Sequence, residues 1–102
     1  MRLRTDLQSD LQNVLDSPNV YFQPSSNVQM AYPAIVYELD GISSRKANNK
    51  IYMAEGKYTV THIYKSIKSQ RIERFLMSFD FISFDREFKS DGLYHDIFTI
   101  YY

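Results

Sequence analysis

The sequence predicts an α+β domain: a mostly antiparallel sheet of about four long strands, with two helices packed on one of its faces. Three observations carry that reading. An apolar stripe of helical spacing opens the chain, several later segments alternate apolar and polar residues, and a second helical stretch interrupts those segments. At 102 residues the chain has the length of one domain, 1–102. Its 44% hydrophobic and 24% charged residues place it with globular rather than disordered chains.

Leu3, Leu7, Leu11, Val14 and Leu15 line one face of a helix over Arg2–Leu15. Pro18 ends it, because proline cannot continue a helix and biases Ser17 away from helical geometry. Val20-Tyr21-Phe22 reads as a brief edge strand, and Pro24–Asn27 as a loop. Pro33–Leu39 is the first long strand, with Ile35, Tyr37 and Leu39 on one face. Asp40–Lys50 is polar, with Ile42 its one bulky apolar residue, and reads as a loop of functional length. Glu55-Gly56 marks a turn before the strand Lys57–Lys65, where Tyr58, Val60, His62 and Tyr64 share a face. The two strands then form a long-looped hairpin.

Helical spacing returns over Ser66–Ser78, with Ile72, Phe75 and Leu76 inward and Lys68, Arg71 and Arg74 outward. Ser66 or Ser69 is placed to cap its start. Phe81–Phe88 reads as a strand with Ile82, Phe84 and Phe88 on one side and Arg86 among them. Asp91-Gly92 is a hairpin turn, and the final strand runs to the last residue.

The composition excludes more than it assigns. With no cysteine there is no disulfide, thiol nucleophile or thiolate metal site. No segment reaches the about 20 apolar residues of a membrane span. Met1–Asp6 lacks the apolar run of a signal peptide, so an intracellular protein is expected. Zero net charge argues against a dedicated nucleic-acid binder. Basic residues beside Tyr52 and on the second helix are the only footing for base stacking, and they form no motif. Charge is nevertheless uneven. Between Gly41 and Arg74, Arg45, Lys46, Lys50, Lys57, Lys65, Lys68, Arg71 and Arg74 face only Glu55 and Glu73, so the remainder is acidic. Two readings stay open: opposite patches through which copies associate, or solvated faces with no partner.

A catalytic set is not expected. His62 and His95 lack H-x-x-x-H or H-x-H spacing for a metal with Glu38 or Asp96. A sheet histidine hydrogen-bonded to a neighbour is the plainer reading. Asp96 points to the opposite strand face from His95 and cannot orient it as in a triad. G-x-S-x-G, P-loop and G-x-G-x-x-G motifs are absent, and no cofactor is implied. Asp80, Asp85, Glu87 and Asp91 read as solvated edge charges.

Four segments together resemble the tail terminator (tail completion, head–tail joining) proteins of long-tailed phages. They are Tyr32-Pro-Ala-Ile-Val-Tyr37, Ala47-Asn-Asn-Lys-Ile-Tyr52, Lys57-Tyr-Thr-Val-Thr61 and Leu93-Tyr-His-Asp-Ile-Phe-Thr-Ile-Tyr-Tyr102. Phe84-Asp-Arg-Glu-Phe88 fits the first strand of the closing hairpin. The resemblance runs in order over nearly the whole chain, departing at Asn48 and at Lys65-Ser-Ile-Lys68. It implies a non-enzymatic virion protein, made in the host cytoplasm. Such a protein forms a hexameric ring with copies of itself, caps the tail tube protein and docks to the head connector or stopper protein. DNA meets it only in passing through the lumen, and no membrane is involved. Contacts are expected from Arg45, Lys46, Asn48, Asn49, Lys50 and Tyr52 of the loop, and from Lys68, Arg71 and Arg74 of the helix. The alternatives are a head-completion stopper or other neck protein, and a small cellular α+β protein-binding module.

Overall fold

The computed structural model describes residues 2–47 and 50–102, and the side chains of these outside 45–53. Helix α1 (Arg4–Leu15) leads to β1 (Val20–Phe22), β2 (Ala34–Ala47) and β3 (Lys50–Tyr64). A 3₁₀ turn (Ile67–Ser69), α2 (Ile72–Ser78), β4 (Ile82–Ser90) and β5 (Leu93–Tyr101) follow. The strands make one sheet in the order β1-β2-β3-β5-β4, parallel only between β1 and β2. The chain is therefore α+β, as its periodicity predicts, with four long strands, a three-residue edge strand and both helices on one sheet face.

The apolar stripe of α1 explains its seat. Leu7, Leu11, Val14 and Leu15 are buried against Ile35 and Tyr37 of β2, Tyr58 and Val60 of β3, and Phe98 and Ile100 of β5. Each such side chain contributes about 1.5–3 kcal/mol by leaving water. Leu3 stands outside the stripe: it is extended and exposed, so the helix starts at Arg4 rather than Arg2. Asp16 closes the helix in a left-handed conformation (φ 57°), which aspartate tolerates, and returns its N–H to the Gln12 carbonyl. From α2 only Phe75 is fully buried, stacked on Phe98 at 4.4 Å between ring centres.

The polar stretch expected as a loop is a correction. Gly41 to Ala47 continue β2 and pair with Lys50 to Lys57 of β3, while residues 48–49 lie outside the described residues. Regular pairing without apolar alternation is possible because β5 stops pairing at Lys57, so these residues form a two-stranded ribbon beyond the sheet. The ribbon helps stretch the molecule to 51 × 29 × 22 Å. Glu55-Gly56 is likewise no turn. Gly56 lies inside β3 opposite Ile42, and the Tyr58 ring occupies the space a side chain would need: a Cβ there would sit 2.6 Å from Cε2.

The second helix is shorter than its apolar spacing predicts. Ser66 caps only the 3₁₀ turn, accepting from the Lys68 N–H at 3.3 Å, and Ser69 caps nothing in α2, whose N-terminal flank is Arg71. Gln70 is extended (ψ 134°) and breaks the helical path, its side-chain amide being drawn to Tyr64 and Glu87.

Strand β4 also departs from simple alternation. Asp85 forms a bulge between Phe84 and Arg86, held because its carboxylate accepts from Ser83 Oγ (3.0 Å) and Thr99 Oγ1 (2.6 Å). The bulge separates residues expected on one side. Phe84 stays on the helix face against Phe98, whereas Phe88 moves to the open face and stacks on His95 at 4.6 Å. Glu87 thereby comes opposite Asp96 on the helix face. The Asp91-Gly92 turn is as the sequence predicts, both residues having positive φ (53° and 77°).

Candidate interaction surfaces

The loop residues proposed for contact divide in two. Arg45, Lys46, Lys50 and Tyr52 belong by backbone to the ribbon strands near its tip, with side chains outside the described ones. Asn48 and Asn49 lie outside the described residues altogether. The ribbon thus carries a basic sequence on a pair of strands whose outer edges β1 and β5 do not reach.

The basic helix face is differently employed. Lys68 is exposed, but Arg71 and Arg74 do not simply point outward. Arg71 donates to the Val14 carbonyl (3.4 Å) and Asp16 (3.2 Å), and Arg74 donates to the Asn13 carbonyl (2.8 Å) and Asp16 (3.1 Å). Both therefore bind the C-terminal end of α1, where free carbonyls favour cations. The two guanidinium groups hold the Asp16 carboxyl below its ordinary range, with the Arg71 hydrogen bond the main cause.

At the ribbon's base a cleft of about 360 Å³ opens beside the C-terminus. Asp10, Glu55 and Asp80 contribute carboxylates to it, and Phe79, Phe81, Tyr101 and Tyr102 contribute aromatic surface. Tyr102 donates to Asp10 Oδ2 at 2.6 Å beneath the Arg2 guanidinium, 3.8 Å from the ring centre. Burial, then the Asp10 carboxylate, pushes the Tyr102 hydroxyl up to about 12. This cleft was not legible in the sequence, since its walls come from both chain ends, from β3 and from the segment between α2 and β4.

The sheet face opposite the helices presents Val36, Thr59, Thr61, His95, Ile97 and Thr99, all half-buried. His95 accounts for itself there: Nδ1 lies 3.1 Å from the Leu93 carbonyl and its ring stacks on Phe88. His62 does not fit the expected hydrogen-bonded histidine. It is fully buried on the helix face between Tyr64 and Phe75, and neither ring nitrogen has a partner among the described residues. Burial lowers its pKa to about 4, so the ring is neutral at pH 7.

His62 lies opposite Asp96 across β3 and β5, a juxtaposition that only strand register reveals. His95 and Glu38 occupy the other sheet face, so the conceivable metal set is divided between two sides. Among the described residues no group of three or more His, Cys, Asp or Glu side chains is placed to hold a metal ion. No helix among them is long and apolar enough to cross a membrane. No family model matches this chain, and a search of curated proteins finds no match either.

Proposed function

We propose that this chain is a virion structural protein of a long-tailed phage or prophage, acting as its tail terminator. Six copies form a ring on the head-proximal end of the tail tube, end its polymerisation and present a surface to the head connector. The work is recognition, with no bond made or broken. The observation that carries this reading is the β2–β3 ribbon, a two-stranded arm reaching beyond the sheet with Arg45, Lys46 and Lys50 near its tip. An arm of this kind suits insertion against a neighbouring subunit or tube, and its unpaired edges offer backbone groups for strand addition.

A ring requires two different complementary surfaces on each copy. The basic ribbon and the acidic, aromatic cleft at its base differ in charge in the required sense. The resemblance of Tyr32–Tyr37, Lys57–Thr61 and Leu93–Tyr102 to tail terminators adds to this, because these segments lie in the three adjacent strands β2, β3 and β5. The test mixes the pure protein with polymerised tubes of its cognate tail protein and images them by electron microscopy. Density at one end of each tube is the expected result. Bare tubes, or decoration along their length, reject the reading; bare tubes with binding to the head connector select the stopper role instead.

A further inference from the structure

We propose that Asp96 and Glu87 share one proton, carried on Oδ1 of Asp96, and that this proton clasps edge strand β4 to the middle of the sheet. This inference goes beyond the assembly role and does not depend on it.

Asp96 is fully buried, and Glu87, exposed at the sheet edge, is its register partner on the neighbouring strand, so the two carboxyl-bearing residues share the helix face. One oxygen of Asp96 is accounted for: Oδ2 accepts from the Tyr64 hydroxyl at 2.9 Å. That hydroxyl accepts from Gln70 Nε2 at 2.9 Å, and the same amide donates to Glu87 Oε2. Oδ1 of Asp96 has no partner among the described residues. A buried carboxylate oxygen without a donor is costly, and two adjacent carboxylates cannot both ionise cheaply. A proton on Oδ1, donated to Glu87, answers both problems.

The other groups around Asp96 leave room for that proton. From β3 come Tyr64 and the neutral His62. From the segment before α2 comes Arg71, engaged with Asp16 of α1. On the β4 side Lys89 lies over Tyr94, 5.0 Å from its ring centre. Among the described residues no cation is bonded to Asp96. Burial first, and Glu87 with it, raises the Asp96 carboxyl from 3.8 to about 6.

The sign follows. A carboxyl whose folded pKa is raised binds its proton more tightly when folded, so stability falls as pH rises from about 3.8 to about 6. His62, lowered from 6.5 to about 4, works in the opposite sense over nearly the same window and masks the effect in a global melt. The clasp is therefore to be read locally.

Carboxyl carbon NMR titration of the whole protein should show Asp96 near 6. In Glu87→Gln, where the amide donates to Oδ1, Asp96 should fall by at least one pH unit, with Glu87→Ala as a second variant should that one misfold. In His62→Phe, amide exchange of Phe84 to Lys89, corrected for intrinsic rate, should slow about tenfold between pH 7 and 5. An Asp96 titration below 5 in the wild type, an unchanged value in both Glu87 variants, or flat exchange across that range each overturns the proposal.

Discussion

A methyl group added at Gly56 would meet the Tyr58 ring at 2.6 Å, and Tyr58 is buried, so the ring has nowhere easy to go. Gly56→Ala should therefore destabilise the fold by about 1–3 kcal/mol, seen as a lower urea midpoint with unchanged slope. A wild-type midpoint would show that the ring moves aside at no cost. Phe75 is the equivalent test of the helix side. It alone anchors α2 fully, between His62 and Phe98, and Phe75→Ala should cost about 3–5 kcal/mol through the cavity it leaves. Asp16 sets a different signature. Its lowered pKa means that its pairing with Arg71 and Arg74 is present above pH 3.8 and is lost as pH falls through the folded value.

At the scale of elements, the strands and α1 were legible because their apolar residues repeat at the period of the structure they enter. Leu7, Leu11, Val14 and Leu15 bury together, and so do Tyr58, Val60, His62 and Tyr64. The ribbon was not legible, because a two-stranded arm has no buried face to enforce alternation and its polar residues read as a loop. Gly56 then misled, since a glycine making room for a ring looks the same in sequence as one making a turn. The bulge at Asp85 was hidden too: its cause is a pair of hydroxyls, Ser83 and Thr99, one of them in the partner strand. Arg71 and Arg74 had the spacing of an outward face, but the open carbonyls of α1 lie within their reach. The Asp91-Gly92 turn, by contrast, is local chemistry and was plain. Gly92 has φ 77°, so Gly92→Ala should cost about 1–2 kcal/mol and show fast amide exchange at the β4–β5 turn.

Over the whole molecule, α1 and α2 cover one sheet face, one end carries a basic arm, and the acidic cleft lies at that arm's base. Ala substitutions at Arg45, Lys46 and Lys50 together should leave the melting temperature within about 2 °C of wild type, because the arm lies outside the core. The same variant should lose attachment to tubes, and its deficit against wild type should narrow as salt screens the wild-type charges. The most direct measurement adds the protein to tail tube subunits in the act of polymerising and follows tube length by electron microscopy. Tubes that stop lengthening on addition, with wild type but not with the triple variant, are what a terminator produces. Tubes that grow on at the same rate with wild-type protein present would contradict the account.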